Sequence, residues 1–246
     1  MEQSAESVFP EKYRVLSGSA LKMIALITMI IDHIGAVLLS QQGSALLPLF
    51  DGAPESLTLY HIVRIIGRTA FPLYCFLITE GCVHTHDRKK YGANLLIFAL
   101  LSELPWNLEH SGTWRYSGQN VFFTLFLGFC CICIYDRFRD DTKKQIIGLL
   151  CMILISLVIR ADYGTVGMGF ILMLYVLREK KVAQAILGCC LLNTAWKILP
   201  AFALINLYNG KRGFIRGKVL KYLFYAAYPV HMLILYLIRV RSFGGY

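Results

Sequence analysis

Nine apolar runs, separated by short polar segments, occupy most of this 246-residue chain. They cover residues 20–39, 62–83, 91–106, 121–135, 146–159, 166–177, 182–196, 199–208 and 219–238. A helix that crosses a bilayer needs about 20 mostly apolar residues, because lipid offers no partner to an unpaired backbone amide. Such a succession predicts an all-α polytopic membrane protein, a bundle of eight or nine transmembrane helices. The eighth run is too short to span by itself. It reads either as a half-helix or as the continuation of a helix bent at Pro200.

Composition agrees. Hydrophobic residues make up 57% of the chain and charged residues only 16%, against about a quarter charged in soluble domains. That leaves too little polar surface for a water-facing globule. The net charge of +10 invites a nucleic-acid reading, but the cations fall in short clusters between apolar runs, the pattern of cytoplasmic loops. Nucleic acid is excluded as a partner on that ground, and the lipid bilayer is expected. The eight cysteines lie in or beside apolar runs without a paired CxxC, so no metal site is expected. The first twenty residues lack the apolar core of a signal peptide.

Alternating the nine runs from a cytoplasmic N-terminus places 17 Lys and Arg inside and 5 outside, with Lys22, Arg64 and Arg68 within or at the edge of spans. The bias predicts a multi-pass protein of the bacterial cytoplasmic membrane with its N-terminus inside. No internal repeat or linker divides the chain. The expected organisation is a cytoplasmic tail over 1–19, one membrane domain over 20–238 and a C-terminal tail over 239–246.

Ionisable groups inside a span cost several kcal/mol unless function or partners retain them. The first run carries Asp32-His33, about 16 Å beyond Lys22 along a helix. Histidine exchanges a proton near neutral pH and is the natural general base. His231 in the last run lies at a similar depth, so two histidines and an aspartate predict a polar chamber. Arg68 in the second run needs a partner from another helix, and Asp32 or Glu103 is its expected mate. Arg64 reads as snorkelling to the outer surface. Glu80 and His84 share a face on the inner side. Pro105 is expected to disrupt the third helix, Asn120 to cap the fourth, and Asp162 to lie in an outer loop. The inner loop from Tyr208 through Asn209, Gly210, Lys211 and Arg212 to Gly213 combines glycine turns with cations, a composition suited to phosphate.

Four ordered motifs carry a resemblance. They are Lys22-Met23-Ile24-Ala25 through Asp32-His33-Ile34-Gly35, Ile66-Gly67-Arg68-Thr69-Ala70-Phe71-Pro72 with Glu80-Gly81, the loop Tyr208–Gly213, and Tyr225-Ala226-Ala227-Tyr228-Pro229-Val230-His231. Together they resemble the TraX family, over roughly residues 20–238. TraX of conjugative plasmids is implicated in acetylating the pilin N-terminus, and the family is similar to transmembrane acyltransferases that carry acyl groups from cytoplasmic acyl-CoA to acceptors beyond the membrane. Those proteins often show Arg-x10-His in their first helix. Here Lys22-x10-His33 keeps the spacing and the charge without the guanidinium fork.

The resemblance implies acetyl-CoA as donor and a protein N-terminus or a glycan as acceptor. His33 is then the base or a transient acyl carrier, Asp32 or His231 its orienting partner, and Arg68 and Glu103 part of an outer opening. Lys22, Glu80, His84, Asn209, Lys211 and Arg212 are the candidate donor-binding set. A proton-coupled transporter of a small solute would bury similar groups, though it usually shows paired broken helices in matching halves. A non-catalytic assembly protein has no need of them.

Overall fold

The structure, a computed structural model, describes residues 10–50, 54, 57–192 and 195–244. Residues 1–9 of the expected N-terminal tail, residues 245–246 and two positions of the seventh run therefore lie outside the described residues. Ten α-helices follow one another: α1 Gly18–Val37, α2 Leu59–Gly67, α3 Ala70–His84, α4 Arg88–Ser111, α5 Val121–Arg137, α6 Thr142–Ile159, α7 Gly164–Val176, α8 Lys181–Leu191, α9 Leu199–Asn206 and α10 Lys218–Phe243. No β-strand forms among the described residues.

Each apolar run becomes a helix, with two informative departures. The second run is broken at Arg68-Thr69 into α2 and α3. The eighth is a separate half-helix, with Pro200 in the first turn of α9, where its missing N–H is harmless. Pro105 does not end the third helix: α4 runs through it to Ser111 and closes on Gly112 in the left-handed conformation. Side-chain caps set several starts. Ser17 accepts from the Ala20 amide, Asp87 from Lys90, Asn120 from Phe122 and Asp141 from Lys144.

Among the described residues, four segments are long and apolar enough to cross a membrane: 18–41, 59–84 (α2 with α3), 142–159 and 218–243. The 24-residue α4 has the length, but its charged and polar residues lower its hydropathy. α8 and α9, at 11 and 8 residues, extend only about 16 and 12 Å, and neither spans by itself.

α3 and α5 hold the centre. Phe71, Leu73, Cys75, Phe76, Ile78 and Cys82 of α3 join Leu125, Phe129 and Ile132 of α5 in one core with Phe170 and Ile171 of α7. α6 is the opposite case: only Ser156 is buried, and Val158 is 81% exposed. An apolar helix bare to its surroundings fits a bilayer, not water. α1, α4 and α10 run in one direction. His33 meets His231, Lys22 lies near Lys221, and Tyr222 and Tyr225 of α10 meet Asn94 and Phe98 of α4.

Close approach of α5 and α7 depends on Gly128, where a Cβ would overlap Ile171 down to that residue's own Cβ. Overpacking of this kind costs about 1–3 kcal/mol. Gly128→Ala is expected to lower the thermal midpoint of the detergent-purified protein, and a second change, Ile171→Ala, to recover part of the loss. An unchanged midpoint in Gly128→Ala would show that the contact is soft.

Candidate functional site

The two mid-depth histidines meet. His33 Nδ1 lies 2.5 Å from His231 Nε2, and the rings are parallel within 4°, with centroids 4.8 Å apart. The short N···N contact accounts for that centroid separation, so the rings meet edge to edge in one plane and do not stack. His231 Nδ1 lies 2.7 Å from the Ala227 carbonyl. A carbonyl only accepts, so His231 Nδ1 carries the proton and donates it. In the neutral pair His231 Nε2 is then the acceptor, and His33 Nδ1 donates to it. The chain fixes both tautomers and leaves the lone pair on His33 Nε2, which is the arrangement of an oriented general base. Tyr228, buried, sets its ring edge-on to both imidazoles.

Asp32 does not join this pair. Its Oδ2 takes Arg64 Nη1 at 2.7 Å, and the same nitrogen reaches the Asp32 carbonyl at 3.3 Å. Adjacent helix residues diverge by about 100°, so Asp32 faces α2 while His33 faces α10. The expected partner, Arg68, forms no ion pair among the described residues. Arg64, which the sequence places at the lipid surface, makes the bond instead. The reason is Gly67: a Cβ there would overlap the Asp32 carboxyl, so α2 and α1 touch at this residue and Arg64, one turn earlier, comes within reach. Gly67 is thus a functional signal that side-chain chemistry alone does not display.

Glu103, the other expected mate, is held elsewhere. It accepts from Asn120 Nδ2 at 2.7 Å, and Gln119, with its amide nitrogen toward the carboxylate, donates to both oxygens at 3.0 and 3.2 Å. Asn120 also donates to the Ala99 carbonyl at 2.8 Å, so one residue caps α5 and clamps it to α4. Glu109 and His110, which the sequence reading does not single out, bring a carboxyl oxygen against an imidazole nitrogen near the C-terminal end of α4. His110 lies over Trp106, and the charges of Glu109 and His110 are felt at His231 and His33 respectively. Asp162 sits in the loop before α7, where its carbonyl accepts from Thr124, and burial pushes its carboxyl up to about 6.

At the end of the bundle where α1 begins, the loop 208–213 is stitched to that helix start. The Leu16 amide donates to the Leu207 carbonyl at 3.0 Å, and the Asn209 amide donates to the Leu16 carbonyl at 2.9 Å. The Lys211 and Arg212 carbonyls take the Gly18 and Ser19 amides at 2.8 and 2.9 Å, and Ser19 Oγ also donates to Arg212. Asn209 Oδ1 accepts from the Lys211 amide at 2.9 Å. The loop thus satisfies amides that α1 would otherwise present to an anion, and Asn209 is committed to the turn. What remains is charge. Lys22, Arg212 and Lys221 lie close enough to repel one another, with Lys90 of α4 beside Lys221. None of the four forms an ion pair among the described residues. Lys90 and Lys221 are additions to the expected set; both were visible only as loop cations. Glu80 belongs to another contact, paired with His84 at 3.4 Å and adjoining the Tyr208 hydroxyl and Lys181.

The two arginines give a discriminating prediction. Arg64→Ala leaves a half-buried carboxylate uncompensated and is expected to cost up to about 3–5 kcal/mol, the soluble-protein figure for a fully buried pair. Arg68→Ala should cost clearly less, and Asp32→Asn should partly restore Arg64→Ala. Thermal unfolding in detergent reads all of these, and a larger loss from Arg68→Ala than from Arg64→Ala would contradict the pairing.

The family description "TraX protein" matches residues 17–239. A probable fimbrial assembly protein FimC (serogroup H1) of Dichelobacter nodosus is 30% identical over 249 residues, covering 89% of this chain and 94% of its own. A protein of Rickettsia prowazekii (strain Madrid E), described as uncharacterized, is 24% identical over 176 residues, 69% of this chain and 58% of its own. No solved structure matches. With the family match running through α1 to α10 and including all four motifs, the chain belongs to the TraX family.

Proposed function

We propose that this chain is an integral membrane acetyltransferase that moves an acetyl group from cytoplasmic acetyl-CoA to an amine or hydroxyl acceptor, a pilin-like N-terminus or a surface glycan. The observation that carries the reading is the tautomer-fixed chain from Ala227 through His231 to His33. Family membership and the relative named as a fimbrial assembly protein support the acceptor class.

In this reading Lys22, Lys90, Arg212 and Lys221 hold the donor's phosphates at the inner mouth, where four cations repel and an anion relieves them. The thioester then reaches upward along α1 toward His33, about 16 Å from Lys22. His33 Nε2 takes the proton of the acceptor N–H or O–H as that atom attacks the thioester carbonyl. The new C–N or C–O bond forms, the C–S bond breaks, and the proton returns to the departing sulfur. His231 accepts from His33 Nδ1 throughout and holds the imidazolium.

The placement in the cytoplasmic membrane with the N-terminus inside rests on the charge bias. The common direction of α1, α4 and α10 agrees with the strict alternation on which that count rests, since nine alternating runs give the first, third and ninth the same sense.

His33→Ala is expected to bind acetyl-CoA normally and lose about 10²–10⁴-fold in kcat. His231→Ala should lower kcat less and leave KM for acetyl-CoA unchanged. Neutralising Lys90, Arg212 and Lys221 to Gln should raise that KM more than it lowers kcat. Purified protein in proteoliposomes with labelled acetyl-CoA makes the measurement. Full transfer by His33→Ala, or proton-driven solute uptake with no acetyl turnover, would overturn the reading in favour of no catalytic role or of a transporter.

A further inference from the structure

Arg68 is left over from the chemistry above. Asp32 is committed to Arg64, Glu103 to Asn120 and Gln119, and the Asp162 carboxylate to the Tyr163 amide at 3.0 Å. Arg68 feels the charges of Asp32 and Asp162 but pairs with neither. It lines a cavity of about 250 Å³ whose other walls are apolar or aromatic: Phe71, Pro72, Tyr163, Val166, Leu192 and Ile198. Tyr163 stacks on Phe71, with ring centroids 3.6 Å apart, and sits at φ 57°, in the left-handed region that a tyrosine rarely adopts. Strained backbone of this kind persists where the surroundings over-determine it, and here it holds an aromatic wall in place.

The rim tells what kind of ligand enters. Val166 is 46% exposed and Leu199 49%, and Trp196 and Lys197, next to the lining residue Ile198, are also exposed. Bare apolar residues beside an exposed Trp-Lys pair mark a boundary between acyl chains and headgroups. One guanidinium among otherwise apolar or aromatic walls suits a molecule with an oxyanion at one end and an alkyl chain behind it. The cavity is too small for a folded segment of a protein partner. A guanidinium also matches tetrahedral phosphate oxygens through its fork of donors.

We propose that this cavity binds the phosphate of an anionic phospholipid, with Arg68 on the phosphate and the acyl chain laid against Leu192, Ile198 and Val166. The site is distinct from the histidine chain. Its existence depends on the chain being a membrane protein and not on acetyl transfer, and lipid binding is read without an acetyl donor.

The full-length protein, delipidated in detergent, is titrated with dioleoyl phosphatidylglycerol, dioleoylglycerol, oleate or inorganic phosphate. Binding is read by native mass spectrometry and by the rise in thermal midpoint that a folded-state ligand produces. Phosphatidylglycerol is expected to bind at least about ten-fold more tightly than the other three. Arg68→Gln should erase that preference, and Arg68→Lys should retain part of it as a point charge. Val166→Trp, which fills the cavity and leaves Arg68 in place, should weaken phosphatidylglycerol just as Arg68→Gln does. Equal binding by wild type, Arg68→Gln and Val166→Trp would overturn the site. Inorganic phosphate bound as tightly as the lipid would make it a free-anion site, and oleate bound as tightly would remove the phosphate assignment. Loss of acetyl transfer in His33→Ala with lipid binding intact separates this proposal from the enzymatic one.

Discussion

Asp32 can sit inside the bundle only because Arg64 reaches it, and that ion pair organises what surrounds it. A carboxylate placed in hydrocarbon without a partner neutralises or unfolds its neighbourhood. The pair requires α1 and α2 to touch, which Gly67 permits. α2 ends at Gly67, and α3, from Ala70, supplies much of the core at the centre of the bundle. With Asp32 drawn toward α2, His33 on the neighbouring face is free to meet α10. The ion pair therefore positions the histidine without touching it.

The two ends of the bundle handle charge in opposite ways. In the half away from the loop 208–213, carboxylates and amides close on one another: Asp32 with Arg64, Glu103 with Asn120 and Gln119, Glu109 with His110. These contacts fix helix positions and leave little for a ligand, apart from the Arg68 cavity. At the other end four cations converge from α1, α4, α10 and the loop between α9 and α10, with no carboxylate paired to them among the described residues. Folding brings together like charges that an extended chain would keep apart, a cost that a polyanion would remove. In the proposed reading that asymmetry gives the molecule its direction, with the cationic end facing the donor.

Helix existence was legible in the sequence because apolar run length is a local property. Each of the nine runs became helix, and His33 and His231 were placed at one depth by counting residues at 1.5 Å each. Pairing was less legible, because it depends on helix rotation and interhelical distance, which no run length encodes. Arg64 and Arg68 are one turn apart and chemically identical, and only the contact at Gly67 decides which reaches Asp32. The inner loop shows the same limit. Its glycines and cations read as a phosphate cradle, but its carbonyls and Asn209 are spent on the start of α1. The charge survives as a feature while the backbone cradle does not. Glu109 went unnoticed because its partner His110 is its sequence neighbour, a spacing that carries no helical-face signal.

Depth sets the final constraint on the proposed reaction. The hydrocarbon core is about 30 Å thick, and His33 lies about 16 Å beyond Lys22, so the base sits near the middle. Neither substrate then has to cross the membrane: a donor anchored by its phosphates inside extends an arm to the midpoint, and an acceptor enters from the far side.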